Sequence, residues 1–395
     1  MTPSTTNIPL DDYRWLVGDA AQSWLALAEQ GGASTLVTAQ RLRKELSPAR
    51  THLVMEQAEL RTRARVKFSA AERMFFSRLG LQQASDEITA GYKAGRFPAG
   101  VPLADLCCGI GGDLLALARR GIASGVEREP IAAIMAEANL AATGRPGRVA
   151  IDDVAAVNVA DYAAWHSDPD RRPSGRRTTR VELHEPRLEV IETLLRQNQQ
   201  AAIKLAPAAT FPEAWAEQVE LEWISRRGSC RQLVAWFGSL AAHPGQRSAT
   251  IVGRDADDIH TLAGQPEVEI PMRTIGRYVL EPDAAVLAAR LSGELATRHD
   301  LGLIAPGIAY LTADHPVDDP ALAVFEVSDV LPFNVKRLKA LLRERGIGRL
   351  EVKKRGVSHD PREIRKVLRV PGDQQATLIV TRVGGAVTAI LTQRT

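Results

Sequence analysis

The stretch Leu103–Gly121, LADLCCGIGGDLLALARRG, starts with apolar residues of strand type, passes through a glycine-rich turn and ends in a helical pattern. A strand, a glycine turn and a helix in this order form the nucleotide-binding unit of open α/β sheets. A dinucleotide fingerprint requires G-x-G-x-x-G, whose last glycine lets the helix pack on the strand. Here that position holds Leu114, and an acid, Asp105, lies four residues before Gly109. The sequence therefore favours a nucleotide other than a dinucleotide.

The acid before the glycines suits a ligand that carries an ammonium group. S-adenosylmethionine is such a ligand: the glycines let the backbone approach its methionine part, where a side chain at Gly111 would collide. Glu127 ends the second predicted strand, where ribose hydroxyls would lie, and Asp152-Asp153 end the third, near an adenine amino group. The expected cofactor residues are Asp105, Cys107, Gly109, Gly111, Gly112, Asp113, Glu127 and Asp153. The alternative is a glycine turn that serves only tight strand-to-helix packing.

The chain divides by pattern into four predicted regions. Residues 1–95 show helical periodicity, and residues 96–255 alternate strands with helices, which indicates a parallel sheet covered on both faces. Residues 256–322 contain a short helical segment, and residues 323–395 read as strand, helix, strand, helix and hairpin. We predict an α/β core with a helical N-terminal region and a small α+β C-terminal domain.

Composition excludes several classes of protein. The 395 residues are 45% hydrophobic and 25% charged, with three cysteines and a net charge of +3, which is ordinary globular composition. The cysteines and histidines lack metal-ligand spacing, and no apolar run reaches the roughly 18 residues of a membrane span. The N-terminus lacks the pattern of a signal peptide. We expect a cytoplasmic protein with no metal and no membrane partner.

The segment WHSDPDRRP follows the fourth predicted strand, where methyltransferases of this fold keep their catalytic residues. In enzymes that methylate amino groups, this segment reads Asn or Asp, Pro, Pro, aromatic. Asp168-Pro169 fit the first half, whereas Asp170 and Arg171 replace the second proline and the aromatic residue. We predict that Asp168, Pro169 and Arg171 are catalytic, with Asp168 orienting or deprotonating the acceptor. The alternative is a turn flanked by solvated arginines.

The motifs DLCCGIGGD and DPDRR, together with IKLAP, VELEWIS, YVLEP and LEVKKRG, resemble a bacterial family. It comprises class I S-adenosylmethionine-dependent methyltransferases with a THUMP-like C-terminal domain. The resemblance implies a Rossmann-like core over 96–255, a linker with a small ferredoxin-like segment over 256–322 and a THUMP-like domain over 323–395. The cysteine-glycine loop is remotely similar to that of trimethylguanosine-synthase-like RNA methyltransferases.

Two basic clusters flank the predicted core, RTRARVK near Arg63 and EVKKRG near Lys354, and the second continues on the next predicted helix with Arg362, Arg365, Lys366 and Arg369. Each by itself is typical of a solvated face, but THUMP domains are associated with RNA-modifying enzymes, and that analogy implies RNA as the partner. The expected RNA-binding residues are Arg63, Lys67, Lys353, Lys354 and Arg355.

The sequence thus predicts a class I methyltransferase that uses S-adenosylmethionine to modify a nucleobase of structured RNA, such as rRNA or tRNA. Two alternatives stay open. One is a methyltransferase that acts on a protein or a small molecule. The other is a non-catalytic RNA-binding module that retains the cofactor. The sequence leaves the oligomeric state undetermined.

Overall fold

A computed structural model describes residues 8–30, 35–170, 178–255 and 257–395 of the chain. By its internal contacts the chain forms two units. The first comprises the described residues of Met1–Glu220, Gln232–Pro244 and Arg254–Asp258, and the second those of Leu221–Arg231, Gly245–Gly253 and Ile259–Thr395. Within the described residues, no helix is long and apolar enough to cross a membrane.

The N-terminal region is helical, as its periodicity predicts. Its helices are α1 (Leu10–Val17), α2 (Gln22–Gln30), α3 (Thr35–Leu42), α4 (Pro48–Ala64), α5 (Arg78–Gln83) and α6 (Glu87–Gly95). Ser47 caps α4 by accepting a hydrogen bond from the Arg50 amide, and Pro48 occupies the first helical position, where its missing N–H has no cost. The helices bury a shared core around Leu16, Leu53 and Phe76.

The stretch that begins at Leu103 forms the central strand and turn of the first unit. Its strand is β1 (Leu103–Leu106), and its helix α7 (Leu114–Leu117) is shorter than the pattern suggests. The following elements are β2 (Ala123–Glu127), α8 (Pro130–Ala142), β3 (Gly147–Ile151), β4 (Ala164–Ser167), α9 (Leu188–Gln197), β5 (Ala201–Leu205) and α10 (Glu213–Gln218). Five parallel strands lie in the order β3-β2-β1-β4-β5 across the sheet. Along the chain, successive strands are added on one side of β1 up to β3 and on its other side from β4 onward, so the order of addition reverses between β1 and β4, which pair parallel. Open α/β sheets bind ligands at the carboxyl ends of the strands at such a reversal.

Four longer strands follow the parallel strands. They are β6 (Glu220–Arg226), β7 (Ser229–Trp236), β8 (Arg247–Val252) and β9 (Ile259–Gly264). The last four residues of β7 pair antiparallel with β5 in the first unit. In the second unit, β8 pairs parallel with β6 and antiparallel with β9.

The rest of the second unit is built on another sheet. Its elements are β10 (Tyr278–Pro282), α11 (Ala284–Ala289), α12 (Ser292–His299), β11 (Gly302–Leu303), β12 (Leu311–Ala313), β13 (Leu322–Pro332), α13 (Val335–Glu344), β14 (Ile347–Lys354), α14 (Pro361–Val367), β15 (Gln374–Val383) and β16 (Ala386–Arg394). The strand order is β11-β12-β10-β13-β16-β15-β14, so β14 is an edge strand. The strand–helix–strand–helix–hairpin pattern predicted from about residue 323 matches these elements. The sequence reading missed β10, β11 and β12, which are short and lie beside the predicted helix.

A buried amide joins the N-terminal region to the glycine turn. Asn139 of α8 accepts a hydrogen bond from the Phe75 amide (2.7 Å) and donates to the carbonyls of Phe75 (3.0 Å) and Ile110 (2.9 Å). Its side chain is fully buried. One side chain therefore satisfies three backbone groups that have no access to water.

We expect Asn139→Ala to destabilise the protein strongly, because it leaves these three buried backbone groups without a partner. Each such group costs about 1–3 kcal/mol, so the free energy of unfolding should fall by roughly 3 kcal/mol or more. Urea denaturation of the two proteins measures this difference. Glu137→Ala is the control, since Glu137 is an exposed residue of the same helix and should change stability by about 0.5 kcal/mol or less. Equal stability of the two variants would contradict the role given to Asn139.

Candidate functional site

A cavity of about 590 Å³ opens at the carboxyl ends of the parallel strands. Three groups of residues line it: the turn after β1, the ends of β2, β3 and β4, and the N-terminal helical region through Tyr13 of α1 and the segment around Ser85. The cavity lies where the strand order reverses, as expected for this type of sheet. The contribution of the N-terminal region is a feature that the sequence reading missed.

Two buried side chains on neighbouring strands meet at the floor of the cavity. Asp105 of β1 and His166 of β4 are direct neighbours in the parallel register, and their Oδ1 and Nδ1 atoms are 2.7 Å apart. Burial raises the pKa of the Asp105 carboxyl, and the adjacent ring offsets this only in part. Asp105 Oδ2 and His166 Nε2 are buried and have no hydrogen-bond partner among the described residues. Two orphaned polar atoms beside a cavity indicate a polar ligand.

The glycine turn has a backbone that side chains rarely permit. Gly109 and Gly111 have φ values of 57° and 92°, and a Cβ at Gly109, which lines the cavity, would meet no atom within 4 Å. A Cβ at Gly111 would lie 3.5 Å from Ala136 of α8, which is an ordinary contact, so the expected collision of a longer side chain with a ligand stays a prediction. The constraint at Gly111 is its φ. Gly112 packs closely on the N-terminal region, because a Cβ there would lie 3.1 Å from the Ser85 carbonyl oxygen.

The cysteines of the turn have little thiolate character. Cys107 lines the cavity with a φ of 60°, and burial, together with the charge of Glu127, raises the pKa of its thiol. Burial likewise raises the pKa of the Cys108 thiol. Since the thiolate is the nucleophile, neither cysteine is suited to attack a substrate.

The predicted acids at the second and third strand ends both reach the cavity. Glu127 accepts hydrogen bonds from the amides of Gly109 (2.8 Å) and Glu129 (2.9 Å), which fix its carboxylate against the turn. Asp152 and Asp153 are exposed at the rim, and Asp153 accepts a hydrogen bond from the Ala155 amide (2.9 Å). The structure thus brings Asp105, Glu127 and Asp153 to one cavity.

A buried chain of alternating charges runs beneath the turn to Asp168. Lys93 Nζ of α6 lies 2.6 Å from Asp113 Oδ1, and Lys204 Nζ of β5 lies 3.9 Å from Asp113 Oδ2 and 2.5 Å from Asp168 Oδ2. Burial acts against the charged form of Asp113, but the positive charges of its neighbours, led by Lys93 and including Lys204, together with the hydrogen bond from Lys93, outweigh burial and hold the pKa of this carboxyl far below its usual range. Burial also lowers the pKa of the Lys93 ammonium, against the opposing effect of Asp113.

The predicted catalytic segment lies beside this chain. Asp168 and Pro169 line the cavity directly after β4, and Asp170 exchanges two backbone hydrogen bonds with Glu185. Arg171 lies outside the described residues. The described part of the segment therefore reaches the same cavity as the glycine turn.

Most of the predicted RNA-binding residues are engaged within the protein. Lys67 donates to the carbonyls of Leu81 (2.7 Å) and Ala84 (2.8 Å), and exposed Arg63 pairs with Glu59 at 3.3 Å. These contacts hold Lys67 to the N-terminal helical region.

The second predicted basic cluster shares one carboxylate. Lys353 and Arg355 lie 2.7 and 3.1 Å from the carboxylate oxygens of Glu281, whereas Lys354 is exposed. Burial acts to raise the pKa of the Glu281 carboxyl, but the hydrogen bonds and positive charges of Lys353 and Arg355 together outweigh it and lower that pKa. Glu281 therefore stays charged and offsets much of the positive charge of this cluster.

Three functional candidates escaped the sequence reading, namely His166, Lys93 and Lys204. His166 stands two residues before Asp168, and Lys204 lies in the predicted strand AAIKLAP, where a lysine among apolar residues is a signal of a buried partner. Within the described residues, no group of three or more acidic, histidine or cysteine side chains could hold a metal ion.

Comparisons with known proteins fit this site. Residues 322–394 match the family described as THUMP domain-like, and residues 9–64 match a domain of unknown function (DUF8688). A protein named as an uncharacterized S-adenosylmethionine-dependent methyltransferase, in the CDC 1551 and H37Rv strains of Mycobacterium tuberculosis, is 33% identical over 312 residues. The alignment covers 78% of this chain and 85% of that protein. The chain belongs to the S-adenosylmethionine-dependent methyltransferases.

A solved structure confirms the fold of this methyltransferase. The crystal structure of a protein assigned as a methyltransferase from Porphyromonas gingivalis W83 superposes with a TM-score of 0.77 at 20% identity. It covers 94% of this chain and 98% of that one. The predicted α/β fold, the THUMP-like C-terminal domain, the enzyme class and S-adenosylmethionine as cofactor are thus confirmed.

The residues of the cavity fit the cofactor of the methyltransferase. Asp105 Oδ2 is a buried acceptor with no hydrogen-bond partner in the described part of the chain, as the cofactor's ammonium group requires, and a Cβ at Gly109 would meet open space. Its neighbour His166 Nε2 is a second orphaned atom, close enough to serve the same methionine part. The roles of individual residues stay predictions.

We expect Asp105→Asn to weaken S-adenosylmethionine binding by about tenfold or more. The amide keeps the shape of the carboxylate, and its oxygen can still accept a hydrogen bond from His166. It loses the negative charge that binds an ammonium group. A hydrogen bond to a charged group contributes about 1.5–3 kcal/mol, which corresponds to this factor. Titration calorimetry of the purified variant measures the change, with S-adenosylhomocysteine as the competing ligand.

The control variant is Asp161→Asn, an exposed carboxylate outside the cavity lining. It should bind the cofactor as the wild type does. Unchanged affinity in Asp105→Asn would remove this carboxylate from the cofactor site.

Proposed function

We propose that this methyltransferase transfers a methyl group to a nucleobase of structured RNA and that Asp168 orients the acceptor. The observation that carries the chemical part is the ion pair of Asp168 with Lys204 at 2.5 Å. It fixes a carboxylate at the cavity, directly after the strand that carries His166.

The ion pair divides the work between the two oxygens of Asp168. Oδ2 accepts a hydrogen bond from the Lys204 ammonium. Oδ1 has no hydrogen-bond partner among the described residues and can accept a hydrogen bond from an amine or hydroxyl of the substrate. Pro169 follows with its carbonyl, a second acceptor of the type that amino-group methyltransferases use. By accepting the hydrogens of the substrate nitrogen, these two oxygen atoms orient the lone pair of that nitrogen toward the methyl group. Such orientation is a large part of catalysis.

The remaining cavity residues are proposed to hold the cofactor, which supplies a methyl group already activated on a sulfonium. Asp105 Oδ2 accepts a hydrogen bond from the ammonium group, Glu127 accepts hydrogen bonds from the ribose hydroxyls, and Asp153 accepts one from the adenine amino group. The residues that shape the turn are Cys107, Gly109, Gly111, Gly112 and Asp113. Asp113 acts indirectly, because its contact with Lys93 fixes the turn on α6. The protein residues thus position two partners and accept a proton.

RNA as the substrate is supported by the THUMP domain-like match over residues 322–394. Asp170 and Arg171 replace the second proline and the aromatic residue of the usual segment. In place of the aromatic residue, the arginine would stack on the base or form an ion pair with a phosphate of the RNA. Of the predicted RNA-binding residues, Lys354 and Arg63 are exposed, whereas Lys67, Lys353 and Arg355 have firm partners in the protein. An RNA substrate implies a cytoplasmic enzyme.

We expect a cell strain that lacks the gene to lose one modified nucleoside from its rRNA or tRNA. Mass spectrometry of RNA digests detects the loss, and expression of the wild-type chain should restore it. Expression of Asp168→Asn should restore it poorly, because lost orientation or proton transfer lowers the rate by about 100-fold or more.

The purified Asp168→Asn protein should bind S-adenosylmethionine within a few-fold of wild type, which separates chemistry from binding. Asp161→Asn is again the matched control and should restore the nucleoside fully. If no RNA nucleoside depends on the gene, the RNA assignment fails and a protein or small-molecule acceptor takes its place. Full restoration by Asp168→Asn would contradict the catalytic role of Asp168.

A further inference from the structure

A basic concavity lies on the C-terminal part of the second unit, and its lining does not include Lys353, Lys354 or Arg355 of the predicted cluster. Its volume is about 730 Å³, and it lies between the edge strand β14, the segment of α14 and the end of β16. We name it the arginine groove. Its lining cations are Arg349, Arg362, Arg365, Lys366, Arg369 and Arg394.

The described residues leave the positive charge of the arginine groove largely uncompensated. All six cations are exposed, and none of them forms an ion pair with a carboxylate in the described part of the chain. The lining contains one carboxylate, Glu351, which already accepts a hydrogen bond from Thr377 and lies 3.8 Å from Lys353. Lys353 and Arg355, by contrast, share Glu281. Six cations that form no ion pair within the described residues therefore surround one concavity that contains a single carboxylate.

The spacing on α14 aims these charges at one side. Arg362, Arg365 and Lys366 are three and four residues apart on α14, which places them on one face of the helix, and Arg369 follows two residues after the helix ends. Like charges held together on one face repel each other. Such an arrangement is favourable when a polyanion occupies the groove and releases its condensed counterions.

We propose that the arginine groove binds the phosphate backbone of RNA. Five of its six cations are arginines, whose planar guanidinium groups bind phosphate oxygens in pairs. The neutral lining residues Gln375, Gln393 and Thr377 add hydrogen-bonding groups. No aromatic side chain is found among the described residues of the lining, so the groove lacks a platform for stacking bases.

The groove thus positions RNA without reading its sequence, because phosphate contacts are common to all sequences. The inference rests on the proposed function only for the choice of RNA among polyanions. It moves the phosphate contacts of this domain from Lys353 and Arg355 to α14, the start of β14 and the end of β16.

The test compares two triple variants of the full chain that remove the same charge from the same domain. The groove variant is Arg362→Gln, Arg365→Gln, Arg369→Gln. The control is Lys336→Gln, Arg337→Gln, Arg343→Gln, three cations of α13 that are exposed, lie outside the groove and form no ion pair within the described residues. The probes are bulk tRNA and polyglutamate, titrated over a series of salt concentrations.

The groove variant should bind tRNA about tenfold or more weakly at moderate salt. Its log–log salt slope should be smaller by roughly two, since each phosphate contact contributes about 0.7–0.9. The control should keep most of the affinity and slope. Both variants should show the circular dichroism spectrum and the urea unfolding transition of the wild type, which shows that the mutated domain is folded.

Equal losses in the two variants would show that only the net charge matters and would overturn the proposal. Wild-type binding of tRNA by the groove variant would overturn it as well. Tighter binding of polyglutamate than of tRNA, lost in the groove variant, would assign the groove to acidic proteins instead. A normal RNA nucleoside profile in cells without the gene would refute the proposed reaction but not the groove, so the two failures are distinguishable.

Discussion

The run of charges Lys93–Asp113–Lys204–Asp168, whose first three members are buried, is the interaction on which the site depends. Each member belongs to a different element: α6, the glycine turn, β5 and the segment after β4. Removing one partner of a buried ion pair typically costs about 3–5 kcal/mol, because the other charge is left without compensation. The four elements must therefore adopt one relative arrangement, and that arrangement places the turn and Asp168 at the same cavity.

This constraint gives the N-terminal helices a role beyond packing. Lys93 belongs to α6, and Asn139 holds the loop at Phe75 against the Ile110 carbonyl of the turn. The backbone around Ser85 also lies too close to Gly112 for a side chain there to fit without a shift. The turn is thus shaped from two sides, by its own glycines and by a region outside the sheet. The methyltransferase site is a joint product of the core and the N-terminal helices.

The sequence predicted the parts of the site that depend on local order along the chain. The strand ASGVE is β2 residue for residue, and the acids at the strand ends reach one cavity because parallel strands end at one edge of a sheet. His166 was missed because its meaning comes from register: it opposes Asp105 only when β1 and β4 are neighbours, and 60 residues separate these positions along the chain. Lys204 depends in the same way on the position of β5 beside β4.

The basic residues show the same limit in terms of charge. A sequence displays cations, but whether a cation is free depends on the carboxylate that folding brings to it. Glu281 is more than 70 residues from the lysine and the arginine that it holds, so the EVKKRG cluster looks more available in the sequence than in the structure. The arginines around α14 have no ion-pair partner among the described residues, because folding brings them together without a carboxylate for each. The small net charge of +3 therefore conceals two kinds of cation: those that hold the fold together and those that remain for an external anion.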